Sequence, residues 1–281
     1  MRHSARAEAA AGAVLAAGLA ILARAVWFEP RRLVVRERTL TLPRWPAALD
    51  GLRVALISDL HAGAPQVDVN AVRRVVRRAN RRAPDLVAVL GDFVDPRNAG
   101  ADPVAPEAVA RALGGLRAPL GTIAVLGNHD WANDGPRVAR ALTTAGIVVL
   151  ENGSVAREHG GATLHVAGLA DAGLREPDVA AALSGVPDGE PVLLLSHDPD
   201  VFPSVPERVA LTVAGHTHGG QVNLPFLRGR MIPSRFGDRY ARGHVVEGGR
   251  HLFVTSGIGT SRWPVRLRRP PELVVLALRA A

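Results

Sequence analysis

Five short apolar segments of this 281-residue chain each end in side chains that commonly bind metals. In chain order they read LRVALISDLH, DLVAVLGDFVD, GTIAVLGNHD, PVLLLSHDPD and LTVAGHTHGG. Short runs rich in Val, Ile and Leu that stop abruptly predict buried strands. Asp, Asn or His follows each run. The pattern indicates strands that present polar side chains at their carboxyl ends.

Segments with helical or loop character separate these predicted strands, which favours α/β layers. In sheets with helical crossovers, ligand sites form outside the carboxyl ends of the strands. Right-handed crossovers can point those ends in the same direction. We therefore expect the terminal side chains to converge. They are Asp59, His61, Asp92, Asn128, His197, His216 and His218.

This set offers carboxylate, amide and imidazole donors, and the chain has no cysteine. Such donors favour Mn²⁺, Fe²⁺, Zn²⁺, Co²⁺ or Ni²⁺, and thiolate sites and disulfides are excluded. The set is too large for one tetrahedral ion but suits two ions that share a carboxylate. Taken singly, each residue is more often a turn, a cap or a hydrogen-bonded core residue. The prediction of a metal site depends on the five strands together.

The ordered blocks DLH, GDFVD, GNHD, SHD and GHTH resemble those of the calcineurin-like metallophosphoesterases. The resemblance covers about Leu52 to Leu276. GHTHGGQ and the later GIGTSRWPVR are similar to the bacterial, often membrane-anchored single-domain branch. The resemblance implies a four-layer α-β-β-α sandwich, and hydrolysis of a phosphate ester by a hydroxide held between two ions.

The resemblance also implies roles for single residues. One ion would take Asp59, His61 and His218, the other would take Asn128, His197 and His216, and Asp92 would bridge both. His129 would protonate the leaving oxygen, and Asp95 would orient His129. Asp130 and Asp198 are candidates for contacts that support the ligands.

The chain departs from the wider family where phosphoprotein phosphatases carry two arginines that grip a dianionic monoester. Pro96 directly follows Asp95, with Arg97 one position late, and Leu126 precedes Gly127. The difference favours a phosphodiester or a pyrophosphate, which has one less charge on the attacked phosphate. A phosphomonoesterase or nuclease with the same metals is the enzymatic alternative. A non-catalytic, metal-stabilised scaffold is the alternative of another class.

The segment Ala9–Phe28 carries one charge, Arg24, and as a helix it would rise about 30 Å, enough to cross a bilayer. We interpret it as a single-pass N-terminal anchor with Trp27 and Phe28 at the membrane interface. A signal peptide cleaved near ARA (Ala23–Ala25) and a soluble alanine-rich helix are the alternatives. More arginines follow the segment than precede it, which favours the cytoplasmic face for the rest of the chain.

The predicted division is an N-terminal segment at 1–28, a linker at 29–46 that leads into an edge strand, and one catalytic domain at 47–281. All 34 Lys-or-Arg positions are arginine, and the formal net charge of +8 suits a phosphate ligand, an anionic lipid surface or nucleic acid. The densest arginine run, at residues 72–84, has helical spacing and indicates a solvated helix face.

Aromatic residues make up only 4% of the chain, which leaves few platforms for stacking nucleic-acid bases. The expected partners are therefore a phosphate-ester or pyrophosphate substrate, lipid-linked if the site lies near a bilayer, and the membrane itself, rather than nucleic acid. We interpret four residues of the later loops as solvated rather than as substrate contacts: Arg230, Arg239, Tyr240 and Arg262.

Overall fold

The computed structural model describes residues 2–95, 99–224 and 232–281. Within these residues two six-stranded sheets face each other, and helices or helical turns cover the outer face of each. The helices are α1 (Arg2–Ala23), α2 (Val69–Asn80), α3 (Pro106–Leu113), α4 (Asn128–Thr144) and α5 (Val179–Leu183). The α-β-β-α layering confirms the predicted fold class.

The first sheet combines strands from both ends of the chain. It contains β1 (Val34–Leu42), β2 (Arg53–Ile57), β3 (Leu86–Leu90), β4 (Thr122–Val125), β5 (Val148–Val149) and β12 (Glu272–Ala280). Their order is β1-β12-β2-β3-β4-β5. Because β2 to β5 are parallel, the carboxyl ends of β2, β3 and β4 meet at one edge.

The second sheet contains β6 (Gly153–His159), β7 (Ala162–Gly168), β8 (Val192–Leu195), β9 (Leu211–Ala214), β10 (Gly243–Glu247) and β11 (Arg250–Val254). Their order is β10-β11-β9-β8-β7-β6, and β7, β8, β9 and β11 run parallel. The ends of β8 and β9 that carry His197 and His216 lie next to each other.

The core explains why the strands are almost continuously apolar. Leu56 and Leu90 of the first sheet share a buried cluster with Leu195 and Val213 of the second. Alternate residues such as Val89 face outward and pack with α2, α3 and α4. Strands covered on both faces have no solvent-facing positions for polar residues until they end.

The arginine-rich run forms most of α2, as its spacing predicts. Asp68 caps the helix by accepting a hydrogen bond from the backbone N–H of Ala71 at 2.6 Å. Val72 and Val75 are buried against the first sheet, while the arginines between and after them are exposed. The solvated helix face of the sequence interpretation is therefore observed.

Residues 29–46, predicted as a linker, contain the edge strand β1 itself. β1 pairs with β12 along its whole length, from Val34 opposite Glu272 to Leu42 opposite Ala280. The sheet thus begins at Val34 and not at the predicted boundary, residue 47. The physical reason is that the C-terminal strand offers this segment a full row of backbone partners, which local sequence does not reveal.

α1 continues through a π-helical turn, Arg24–Phe28, and a 3₁₀ turn, Glu29–Arg31. The apolar span Ala10–Arg31 has a mean hydropathy of 1.9 in its most apolar window, of which 6% is buried. Among the described residues, this one helix has the length and composition of a membrane span. An N-terminal signal sequence meets the same criteria.

Candidate metal centre

The seven predicted metal-ligand residues come together where the carboxyl ends of the two sheets meet. The first sheet delivers Asp59 and His61 after β2, Asp92 after β3 and Asn128 after β4, and the second delivers His197 after β8 and His216 and His218 after β9. Polar side chains that follow five different strands therefore lie together at one edge of an otherwise apolar sandwich. They divide into two clusters with Asp92 between them.

The first cluster is Asp59, His61 and His218. The Nε2 atoms of His61 and His218 lie 3.1 Å apart, and Nε2 of His218 lies 3.5 Å from Oδ1 of Asp59. Burial, His61 and Arg266 together hold the pKa of His218 well below its usual value. The ring is therefore neutral near pH 7 and can offer a lone pair to a cation.

The second cluster is Asn128, His197 and His216. Nε2 of His197 lies 3.2 Å from Oδ1 of Asn128 and 3.1 Å from Nδ1 of His216. Because a carbonyl only accepts, Nδ1 of His197 donates to the carbonyl oxygen of Leu90, at 2.7 Å. That hydrogen bond leaves Nε2 as the nitrogen that faces the cluster.

Asp92 contacts both clusters through one oxygen. Its Oδ2 lies 3.4 Å from Nε2 of His61 and 3.3 Å from Nε2 of His197. Its Oδ1 accepts the backbone N–H of His129 at 2.9 Å. Burial alone would raise the pKa of Asp92, but His197 and His61 hold it well below its usual range. Asp92 is thus an anion that lies between the two clusters.

The donor set fits divalent cations. A neutral His197 with its proton on Nδ1 would turn the lone pair of Nε2 towards the oxygen acceptors of Asp92 and Asn128, which is unfavourable without a cation between them. Burial by itself lowers the pKa of His197, but the carboxylates of Asp92 and Asp59 outweigh it and leave this pKa well above its usual value. The surroundings therefore favour positive charge at this point, and a metal ion would supply it.

Strained backbone holds most of the predicted ligands. Five of the seven have a positive φ, between 44° and 66°: Asp59, His61, Asp92, His216 and His218. Such conformations are uncommon outside glycine, carry a strain on the order of 1 kcal/mol or more, and concentrate at functional sites. A Cβ on Gly127 would lie 2.3 Å from Oδ1 of Asp92, so the glycine of GNHD is required by this close approach.

His129 and Asp95, the predicted catalytic pair, lie beside the clusters. Oδ2 of Asp95 is 3.1 Å from Nδ1 of His129 and 3.4 Å from Nδ1 of His61. Burial would raise the pKa of Asp95, but both imidazoles lower it well below its usual range, so it is an anion. Asp95 therefore contacts a predicted ligand as well as His129. The contact with His61 was not predicted.

Asp130 and Asp198 differ in what they support. Asp130 is buried, and its Oδ2 accepts the backbone N–H groups of Asp92 at 2.8 Å and Gly127 at 3.0 Å, which ties two ligand-bearing loops together. Burial and the charge of Asp92 raise the pKa of Asp130 to about 7. Asp198 instead caps the 3₁₀ turn Pro199–Ser204, where its Oδ1 accepts from the backbone of Asp200 at 2.8 Å.

A cavity of about 410 Å³ opens onto the second cluster and His129. Its wall includes Asn128, His129, His216, His218, Arg262 and Trp263. Arg262 is exposed, as predicted, but it also faces this cavity, which the sequence interpretation missed. Arg239 is exposed, as predicted, and pairs with Glu247. The interpretation of Tyr240 as solvated is wrong, because its side chain is fully buried with its hydroxyl bound to Glu247. Arg230 lies outside the described residues, as do Pro96 and Arg97.

Arg266 is a further residue that sequence reasoning missed, although it ends the GIGTSRWPVR segment. Its side chain is fully buried. Its Nε donates to the carbonyl of Gly259 at 2.9 Å and its Nη2 to that of Ser256 at 2.8 Å, and Nη2 lies 3.3 Å from Nδ1 of His218. Burial lowers the pKa of Arg266 to about 10, so the guanidinium stays charged at neutral pH. It holds this segment against His218.

Comparison with known proteins agrees with the geometry. Residues 52–247 match the model of the calcineurin-like phosphoesterase family. The chain therefore belongs to that family, and it is a metallophosphoesterase-type hydrolase.

Several curated relatives are similar over most of this chain. The uncharacterized metallophosphoesterase YkuE of Bacillus subtilis is 33% identical over 274 residues, which cover 96% of this chain and 93% of the relative. A transmembrane protein with metallophosphoesterase domain from Danio rerio is 29% identical, over 95% of this chain and 62% of the relative. The UDP-2,3-diacylglucosamine pyrophosphatase LpxG of Chlamydia trachomatis is 28% identical, over 89% of this chain and 92% of its own length.

Proposed function

We propose that this chain hydrolyses a phosphodiester or a pyrophosphate at a site for two divalent metal ions. The observation that carries the proposal is the position of Asp92, whose Oδ2 lies within 3.4 Å of an imidazole nitrogen of each cluster. A carboxylate in that position can bind two ions at once, and two-metal hydrolases use such a bridge.

The assignment of ligands follows the two clusters. Asp59, His61 and His218 would hold one ion, Asn128, His197 and His216 the other, and Asp92 both. Ions bound there would lower the pKa of water enough to supply a nucleophile near neutral pH, and would offset the charge of the phosphate. Mn²⁺, Fe²⁺, Zn²⁺, Co²⁺ and Ni²⁺ all suit nitrogen and oxygen donors of this kind.

His129 would donate a proton to the leaving oxygen. It lines the cavity, and its Nδ1 lies 3.1 Å from Oδ2 of Asp95. The anionic Asp95 stabilises the protonated ring and fixes its orientation. A metal-binding scaffold without catalysis has no need of this arrangement, which favours an enzyme.

The charge of the cavity supports a diester or pyrophosphate rather than a monoester. Arg262 is the arginine that lines the described part of the cavity wall. Leu126, where the phosphoprotein phosphatases have an arginine, is buried and apolar. A single guanidinium suits a phosphate with one negative charge better than a dianionic monoester. The pyrophosphatase relative points the same way.

We further propose that the N-terminal helix anchors the protein in a membrane and that the substrate is lipid-linked. The apolar span Ala10–Arg31 is long enough to cross a bilayer. One relative is named a transmembrane protein, and another is named for a diacylglucosamine substrate. The excess of arginines after the span supports a cytoplasmic site.

The test is a substrate panel on the full chain, reconstituted with Mn²⁺ in lipid nanodiscs. A bis-aryl phosphate, an aryl phosphate monoester, a single-stranded oligonucleotide and a diacyl-lipid pyrophosphate are compared at equal concentration. We expect the diester and the lipid pyrophosphate to turn over at least tenfold faster than the monoester, and chelation to abolish turnover. A preference for monoester or oligonucleotide would support the enzymatic alternative. Two bound ions without any turnover would support a scaffold.

A further inference from the structure

We propose that residues 257–270, here called the rim loop, form a surface that contacts the bilayer entered by the N-terminal helix. The partner of this surface is a layer of anionic phospholipid headgroups. The inference rests on the proposed membrane anchoring and adds to it a fixed orientation, in which the mouth of the active site faces the lipid.

The end of the N-terminal helix is bound directly to the rim loop. The backbone N–H of Arg266 donates to the carbonyl of Ala25 at 2.9 Å. The backbone N–H of Arg269 donates to Oε1 of Glu29 at 2.7 Å, and Glu29, only 3% exposed, also pairs with Arg24. These buried hydrogen bonds hold the helix against the catalytic domain, so a bilayer around the helix has a defined position relative to the loop.

The helix carries its exposed aromatic residues at the same end. Trp27 and Phe28 are 61% and 66% exposed, although they lie between Ala25 and Glu29, the two residues bound to the rim loop. Arg31 lies over the ring of Trp27 at 4.2 Å and is exposed. Aromatic residues with neighbouring arginines are typical of the interface between hydrocarbon and headgroups. This end of the helix therefore marks the level of the membrane surface.

Trp263 lies close to that level. It precedes Arg266 by three residues, a chain length of at most about 11 Å. With the 2.9 Å hydrogen bond from Arg266 to Ala25, its backbone lies within about 14 Å of the helix. Trp263 is 63% exposed and is the one aromatic residue among the large, exposed apolar side chains described outside the helix. An exposed indole has both an apolar body and an N–H donor, which suits a headgroup layer.

The charge of the rim loop suits anionic lipid. Its sequence, GIGTSRWPVRLRRP, contains four arginines and no acidic residue. Arg262 and Arg268 are exposed on either side of Trp263, whereas Arg266 is buried inside the domain. Exposed arginines beside an exposed tryptophan attract an anionic headgroup layer and place the indole within it.

This surface is continuous with the active site. Arg262 and Trp263 also line the cavity that opens onto the second cluster. A phosphate or pyrophosphate attached to a lipid could therefore reach the site while its acyl chains stay in the bilayer. The ligand class assigned to the cavity mouth is the phosphorylated headgroup of a membrane lipid.

Tryptophan fluorescence in vesicles tests this placement. The full chain with Trp27→Phe is reconstituted in vesicles of phosphatidylglycerol and phosphatidylcholine, with or without lipids brominated near the headgroup end of the acyl chain. We expect bromolipid to quench the fluorescence of Trp263 in the Trp27→Phe protein. The loss of emission should be at least twofold larger there than in Trp27→Phe/Trp263→Phe, which lacks that tryptophan. Trp131→Phe in the same Trp27→Phe background is the matched control, because Trp131 lies under Arg175 and outside the rim loop.

A charge-reversal pair tests the partner. Arg268→Glu removes an exposed arginine of the rim loop, and Arg73→Glu makes the same change on the exposed face of α2. We expect Arg268→Glu to reduce the quenching of Trp263 at least twofold in anionic vesicles and to have little effect in purely zwitterionic ones. Arg73→Glu should leave the quenching of Trp263 unchanged in both kinds of vesicle. Equal effects of the two variants would overturn the assignment of anionic lipid.

The remaining outcomes separate this inference from the proposed function. If Trp263 is not quenched by bromolipid but is quenched by acrylamide in the water, the rim loop does not contact the bilayer and the inference is wrong. Hydrolysis of a soluble diester by the same vesicles would in that case leave the proposed function standing. Quenching without hydrolysis of any phosphate ester would support the surface and overturn the proposed function.

Discussion

The two metal-ligand clusters use the same side-chain types, yet the fold closes over them to different extents. Asp59 and His61 of the first cluster have no exposed surface, and His218 has 4%. In the second cluster His197 is also buried, but Asn128 and His216 are partly exposed and face the cavity. An enclosed site suits an ion that stays bound, whereas a site that keeps an open position suits contact with substrate.

The closure of the first cluster comes from the segment that begins the rim loop. A Cβ on Gly257 would lie 2.6 Å from Cβ of Asp59, so this backbone packs directly on the cluster. Arg266 holds the same segment from behind through the carbonyls of Ser256 and Gly259. Asn128 and His216 of the second cluster line the cavity instead. The rim loop thus contributes to the enclosure of the first cluster.

Asp92→Asn should have the largest effect, because it removes the charge that the two clusters share. We expect both ions to be lost and kcat/KM for a diester to fall on the order of 10³-fold. Metal content by mass spectrometry and initial rates measure the two effects. Asp200→Asn, a buried aspartate bound to Ser234, is the matched control and should retain both ions. Retention of both ions in Asp92→Asn would refute the bridge.

His129→Ala should lower turnover without removing metal, because His129 is not among the residues that we propose as ligands of either ion. General acid catalysis contributes about 10²–10⁴-fold, so kcat should fall within that range for an alkyl leaving group. A nitrophenolate leaving group needs little protonation and should lose at least tenfold less. Equal losses for both leaving groups would remove His129 from the proton-donating role.

His216→Ala and His218→Ala should each lose one ion in preference to the other. His216 faces His197 in the open cluster, and His218 faces His61 in the enclosed one. We expect roughly one ion per chain in each variant, with turnover reduced about tenfold to 100-fold. Metal stoichiometry and anomalous diffraction identify which ion remains. If either variant loses both ions equally, the clusters are not separate sites.

Glu272→Gln should weaken the support of the enclosed cluster, with a smaller effect that depends on pH. Glu272 is buried, pairs with Arg36 at 2.6 Å and with Arg242, and accepts the backbone N–H of Ser256 at 2.9 Å. Burial would raise its pKa, but Arg242 lowers it to about 2. A carboxyl group whose pKa is lower in the folded than in the unfolded protein stabilises the fold at a pH above its unfolded pKa. That stabilisation is lost as the pH falls to the pKa of the folded state.

The stabilising contribution of Glu272 should therefore be complete above about pH 5 and disappear between about pH 4.5 and 2. A shift of this size corresponds to about 3 kcal/mol. Thermal unfolding at several pH values should show Glu272→Gln less stable than the parent at pH 7 and equal to it near pH 2. Glu37→Gln, which breaks exposed pairs with Arg53 and Arg82, should change little. A constant deficit across this range would contradict the account.

The strand ends could be predicted because each strand and the polar residues that follow it are adjacent in the sequence. An apolar run that stops at Asp92 or His197 marks both a strand and a site residue, and parallel pairing makes such ends converge. β1 could not be predicted as part of the sheet, because its partner is the last strand of the chain. Arg266 reads locally as one more loop arginine. Only the packing of the rim loop against His218 and Ala25 shows what it does.

The most direct test is anomalous diffraction from crystals of the Mn²⁺-loaded protein. The account predicts two peaks about 3.5–4 Å apart, with Oδ2 of Asp92 between them. One peak should lie among Asp59, His61 and His218 and the other among Asn128, His197 and His216. A single peak, or two peaks that Asp92 does not join, would contradict the central claim.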